Sequence, residues 1–197
     1  MTRVLKTSSG YPAQSVLLSL RSFCGSLLKN EIMTPEQFVK IFYPHAKKVQ
    51  DKTGISAVAL LAQSAHETGW GAKAVGNMMF GVKDTDGING NEQLITTTEY
   101  HNTAKVKYPV IIKIVQVGKR FKYTIKDWFR KYDSAEQSFY DHAEFLRTNK
   151  RYSAAWVVRN SPKEFLKRLA IAGYATDPQY AILMNQMVDS VNKRLPK

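Results

Sequence analysis

Ile55-Ser56-Ala57-Val58-Ala59-Leu60-Leu61-Ala62-Gln63-Ser64-Ala65-His66-Glu67 decides how this chain is read. The stretch is almost wholly apolar until its last residues. A helix that is apolar on most of its faces is a buried one. Thr68-Gly69-Trp70-Gly71 follows as a helix stop, so Glu67 stands at the rim of a dry core. Burial there disfavours the ionised carboxylate and raises its pKa. The negative end of the helix dipole pushes the same way. Both effects hold a proton on Glu67 near neutral pH, the state a general acid needs. The plain alternative is a solvent-facing glutamate in a last helical turn.

Upstream, Thr34-Pro35-Glu36-Gln37 is a helix start, with Thr as cap, Pro in the first turn and Gln three residues on. Phe38, Ile41 and Phe42 continue it at helical spacing. Pro44 is expected to break or kink this helix, with a second segment running to about Lys52. Downstream, residues 77–132 change pattern. Asp84-Thr85-Asp86-Gly87 and Asn89-Gly90-Asn91 are turn clusters. Residues 94–100 and 108–124 are rich in β-branched and aromatic side chains, which predicts strands, with Gly118-Lys119 as a hairpin turn. Helices then return. Ser134-Ala135-Glu136-Gln137 reads as a capping box and Ser161-Pro162-Lys163-Glu164 as a further cap, its helix ending at Gly173. Asp177-Pro178 starts the last helix, with Tyr180, Met184, Met187, Val188 and Val191 in register and the methionines as core filler. The class is therefore α+β, mainly α: a helical domain with a β-hairpin lobe flanking a substrate cleft.

The 197 residues suit one domain with an appendage, and 44% hydrophobic composition supports a sizeable core. Twenty-nine Lys and Arg against 16 Asp and Glu give a net charge of +13. That charge favours polyanionic partners, whether nucleic acid, anionic membrane or anionic cell wall. Cys24 stands alone, which excludes an intrachain disulfide and reads as a packed or free thiol. No apolar run approaches the ~18 residues of a membrane span. Arg3 and Lys6 before residues 15–20 faintly resemble an export signal, but Arg21 cuts the apolar run short. Residues 1–32 are read as an appendage and 33–197 as the domain, with a basic β-lobe at about 84–126.

Leu60-Leu61-Ala62-Gln63-Ser64-Ala65-His66-Glu67-Thr68-Gly69-Trp70-Gly71 resembles the catalytic helix of the FlgJ-type β-N-acetylglucosaminidases, glycoside hydrolase family 73, which are lysozyme-like cell-wall hydrolases. Four further segments match in the family's order. Asn77-Met78-Met79-Phe80-Gly81-Val82-Lys83 is similar to its Asn-Leu-Phe-Gly-Ile-Lys motif. Thr96-Thr97-Thr98-Glu99-Tyr100 is similar to its β-lobe strand. Phe129-Arg130-Lys131-Tyr132-Asp133-Ser134 resembles its entry to the next helix. Gly173-Tyr174-Ala175-Thr176-Asp177-Pro178-Gln179-Tyr180 resembles its C-terminal signature. Together the matches cover roughly residues 34–192.

The resemblance implies that Glu67 is the general acid, Glu99 a second acidic residue, and Tyr174 a residue near the reacting sugar. It implies that Trp70, Asn77, Phe80, Tyr100 and Tyr180 lie around a substrate site. For Trp70 and Phe80 a pure core role is the competing reading, and for Asn77 a bond to backbone around its turn. Asp177 reads as a helix N-cap and His66 as a structural side chain, with no metal-ligand spacing around it. No cofactor and no metal are implied. The implied partner is peptidoglycan, at a periplasmic or extracellular wall, by an export route the sequence leaves open.

Residues 101–126 add Lys105, Lys107, Lys113, Lys119, Arg120, Lys122 and Lys126 with no acidic residue. This segment reads either as a grip on anionic wall, membrane or an acidic partner, or as a solvated hairpin whose lysines discourage edge pairing. Competing functions are a muramidase or lytic transglycosylase on the same fold, an inactive wall-binding relative, and a basic nucleic-acid-binding module. No nucleic acid is expected, because no recognised motif accompanies the charge. Phage lysin, secreted effector with an immunity or inhibitor protein, and phage tail lysin are all compatible settings.

Overall fold

Thr34 opens the first helix by bonding reciprocally with Gln37. Its hydroxyl accepts from the Gln37 N–H at 3.2 Å, and the Gln37 side-chain oxygen accepts from the Thr34 N–H at 2.8 Å. These bonds satisfy donors that a helix end otherwise leaves without partners. The helix, α1, runs Pro35–Thr53 straight through Pro44. The expected break does not occur. Phe38 and Val39 before the proline, and Ala46 and Val49 after it, are fully buried, while Pro44 faces solvent. Burying apolar side chains on both flanks offsets the ~3 kcal/mol that an interior proline costs.

The computed structural model describes residues 33–175 and 177–196. The readings of residues 1–32 and of Cys24 lie outside the described residues. The chain divides into two compact units, a helical one either side of a β unit spanning Gly81–Lys131.

The helical unit is built on α2, Ala57–Thr68, in which every residue except Val58, His66 and Glu67 is buried. It packs against α1, against α5 (Pro162–Ile171) and against α6 (Tyr180–Asn192). The remaining elements are α3 (Ala135–Thr148), a 3-10 turn at Lys150–Tyr152 and the short α4 (Ser153–Trp156). Sequence reading placed the helices well and their caps less well. Ser134 accepts from the Gln137 N–H at 3.3 Å, but the Gln137 side chain turns back to the Asp133 N–H at 2.9 Å, so the box is only half closed. Ser161 holds the N-cap position without a side-chain cap bond, and Glu164 pairs with Arg168 instead. Gln179, not Asp177, is the N-cap of α6. The Asp177 carboxylate accepts from the Gln179 N–H at 2.8 Å, organising the turn that leads into the helix.

The β unit is an antiparallel sheet of β1 (Glu92–His101), β2 (Val110–Val117) and β3 (Arg120–Arg130) in the order β1-β3-β2. β1 and β3 extend beyond the residues whose composition predicted them, while β2 starts inside its predicted run, at Val110. Gly118 sits at φ 60° in the hairpin turn, the left-handed region that glycine enters without steric cost. Along β1, Ile95, Thr97 and Glu99 alternate onto the buried face. Tyr123, Ile125 and Phe129 of β3 fill that side. The architecture is the expected α+β, mainly α.

Candidate active site

Glu67 occupies the last turn of α2, which ends where Gly69 turns left-handed at φ 60° and returns its N–H to the Ala65 carbonyl. Glu67 itself is half-buried. Protein atoms nevertheless crowd around its carboxyl, and that desolvation pushes its pKa from 4.5 to about 8. The acid is therefore largely protonated at neutral pH, as the apolar run before it required.

A buried polar chain packs beside this helix end. The Gln63 amide donates to the Tyr180 hydroxyl at 2.9 Å, and its oxygen lies 3.2 Å from His142 Nε2. With the amide nitrogen committed to Tyr180, the amide oxygen must accept from His142, which makes His142 an Nε2–H tautomer. Burial pushes the His142 pKa down to about 3, so the ring stays neutral. Its face stacks on Phe80 at 3.7 Å. Gln63 lies one turn before Glu67 on the same helix face. Gln63 and His142 were missed from sequence. The available signal was a lone amide inside an apolar helix, four residues before the acid. Gln63→Leu should strand two buried polar partners and cost about 2–4 kcal/mol. Guanidinium unfolding checks this, and a loss under about 0.5 kcal/mol would refute the network's weight.

Beyond Gly69, Trp70 and Gly71 are also left-handed, at φ 58° and 84°. A tryptophan in this region costs on the order of 1 kcal/mol. Packing compensates: Phe38 meets the indole edge-on at 5.6 Å and Arg194 lies over it at 5.8 Å. Thr68 steadies the same turn, accepting from the Gly71 N–H at 2.8 Å. Asn77, left-handed at φ 60°, donates to the Tyr132 carbonyl at 3.0 Å, a bond to backbone as its competing reading had it, but to a distant segment and not around its own turn. The Met79 N–H donates to the buried Ser138 hydroxyl at 3.0 Å.

Several motif residues are core rather than surface. Phe80 and Tyr174 are 1% exposed and Tyr180 is 4% exposed. Tyr174 packs among His142, Tyr152 and Tyr180. Phe80 thus has the environment of its competing core reading, and Tyr180, expected around a substrate site, is enclosed with it. Tyr100 is exposed, with Arg120 over its ring at 5.4 Å. His66 is half-buried, with its pKa lowered by desolvation.

In the β unit, Glu99 is a carboxyl on the buried face of β1, 1% exposed. Desolvation pushes its pKa up to about 7, the Lys83 charge pulls it down, and Asp127 raises it. Lys83 Nζ lies 3.8 Å from Glu99 Oε1, close enough for charge attraction but too long for a hydrogen bond. The ammonium is bound to Asp127 and sits over the Phe129 and Tyr108 rings at 5.1 and 5.5 Å. Lys83 belongs to the motif quoted from sequence, yet its pairing with Asp127 was not foreseen. Among the described residues no cluster of His, Cys, Asp and Glu could hold a metal ion.

Residues 43–193 match the glucosaminidase family, described as mannosyl-glycoprotein endo-beta-N-acetylglucosaminidase. The chain is 34% identical over 160 residues to the peptidoglycan hydrolase FlgJ of Pseudomonas aeruginosa, covering 78% of this chain and 36% of that protein. To the FlgJ of Vibrio parahaemolyticus it is 32% identical over 167 residues, covering 80% and 49%. A solved C-terminally truncated glycoside hydrolase domain of Salmonella typhimurium FlgJ is 28% identical with a TM-score of 0.62, over 81% of this chain and 99% of that one. The chain thus spans less than half the length of these two curated relatives.

Proposed function

The chain belongs to the glucosaminidase family, and from that premise we propose that it hydrolyses the β-1,4 bond after N-acetylglucosamine in peptidoglycan glycan strands, with Glu67 as general acid. One observation carries the reading: Glu67 ends an apolar helix and keeps its proton to about pH 8. The protonated carboxyl delivers its proton to the leaving glycosidic oxygen. Glu99 serves, as a carboxylate, either as base for water or as a stabiliser of the oxocarbenium-like transition state. An alternative route, attack by the sugar's own acetamido oxygen assisted by Tyr174, is disfavoured by the burial of Tyr174.

Trp70 acts by fixing the turn that follows the acid, Asn77 by tying its own loop to the Tyr132 carbonyl ahead of α3, and Tyr100 offers an exposed ring for substrate. The place of action is the wall, periplasmic or extracellular. Among the described residues no helix is long and apolar enough to cross a membrane.

The test is mass spectrometry of digested peptidoglycan. New reducing ends on N-acetylglucosamine are expected. Reducing N-acetylmuramic acid would make the chain a muramidase, and anhydro ends a lytic transglycosylase; either would overturn the proposed cut.

A further inference from the structure

Among the described residues β2 is an edge strand, and every one of its residues from Val110 to Val117 is exposed. Val110, Ile111, Ile112, Ile114, Val115 and Val117 are each between 37% and 53% exposed. An edge strand presents unpaired N–H and C=O groups, and proteins normally guard such an edge with charge or cover. Here Lys113 is the strand's one charge, and a register shift between Ile111 and Lys113 its one irregularity.

The register sorts the side chains into two faces. Ile111 lies opposite Ile125, and Ile114 opposite Tyr123, on the face that carries Glu99. Val110, Lys113, Val115 and Val117 lie opposite Lys126, Thr124, Lys122 and Arg120, so the other face alternates valine with cationic heads. The seven Lys and Arg of residues 101–126 have no Asp or Glu within that segment. None of them makes an ion pair with a described residue.

We propose that β2 is a docking edge for another protein, which adds an extended acidic segment antiparallel or parallel to Val110–Val117. The backbone edge supplies the hydrogen bonds, the exposed isoleucines and valines supply apolar contact, and the cationic comb selects acidic side chains. Charge and hydrogen bonding exclude the nearer candidates. A second copy of this chain would set one cationic edge against another. Residues 1–32 carry Arg3, Lys6, Arg21 and Lys29 against Glu31, the same sign as the edge. A lipid surface would solvate the apolar side chains but leave the edge N–H and C=O groups unpaired in hydrocarbon.

The full chain is titrated with ten-residue synthetic peptides that alternate Val or Thr with Asp or Glu, and amide hydrogen exchange is read residue by residue. The expected result is at least tenfold slower exchange within 110–117 and binding that weakens as salt rises. Lys113→Glu with Lys126→Glu, both exposed, should keep the circular dichroism of the parent and weaken binding at least tenfold. Four results would overturn the proposal. One is no added protection of β2 with any of the acidic peptides. Another is equal binding by a proline-interrupted peptide of the same charge. The third is equal or greater protection by phosphatidylglycerol vesicles. The last is protection that rises with protein concentration alone, which would indicate self-pairing. None of these readouts depends on wall hydrolysis, so the proposal stands or fails apart from the catalytic reading.

Discussion

Glu67→Gln is expected to lower peptidoglycan turnover about 10³-fold while making the chain more stable at pH 7. The two effects share one cause. A carboxyl with a folded pKa of about 8 against an ordinary 4.5 holds its proton more tightly folded than unfolded. Stability therefore falls as pH rises from about 4.5 towards 8, because the unfolded chain is free to ionise and the folded chain is not. At pH 7 that difference amounts to about 3 kcal/mol. Glu67 keeps part of its surface in solvent, so a gain of about 1–3 kcal/mol is the expected range. Glutamine keeps the size and polarity but cannot ionise, and it cannot give up a proton to a leaving oxygen. Guanidinium unfolding at pH 7 should show the gain. At pH 4 the two proteins should match, since the carboxyl is mostly protonated both folded and unfolded. Activity within tenfold of the parent would remove Glu67 from the acid role. Equal stability at both pH values would show that its carboxyl is not desolvated.

Glu67 was legible because its signal is local: an apolar helix, a stop, and a carboxyl between them. Glu99 needed more. Its burial is visible in the alternation of Ile95, Thr97 and Glu99 once the strand and its inward face are known, and sequence supplies only the first. The Gln63–His142 bond joins residues 79 apart, so no window of sequence contains it. Pro44 misled because a local rule met tertiary packing: Phe38, Val39, Ala46 and Val49 bury the helix on both sides of it. Capping failed at Ser161 and Asp177 for a related reason. The residue type marks where a helix is about to start, while the cap bond depends on a backbone geometry that neighbouring contacts set. β2 was legible as one arm of a hairpin turning at Gly118-Lys119, but the order β1-β3-β2, which leaves it beside β3 alone, depends on a pairing between β1 and β3 that no local pattern states.

Glu99→Gln is expected to cost about 10²-fold in turnover and to erase the acid limb of the pH profile. A base or an oxocarbenium stabiliser works only as a carboxylate, and Glu99 ionises near pH 7 because burial outweighs the pull of Lys83. Glu67 works only while protonated, up to about pH 8. Parent activity should therefore rise through about 7 and fall through about 8, in a narrow bell whose limbs are apparent values for the working enzyme. In Glu99→Gln the alkaline limb should survive on a low, flat plateau. Lys83→Met tests the cause of the acid limb. It removes the cation 3.8 Å from Glu99 and leaves Asp127 as an uncompensated like charge. Both changes disfavour the carboxylate, so the limb should move to higher pH, and activity should suffer more at pH 6 than at pH 8. Lys83→Arg keeps the charge and should leave the limb near its parent position. Near-normal turnover in Glu99→Gln with an intact acid limb would take Glu99 out of the chemistry. A limb that stays in place in Lys83→Met would show that another group sets it. If both variants behave as expected, the acid limb belongs to Glu99, and Lys83 and Asp127 together determine the pH at which it becomes usable.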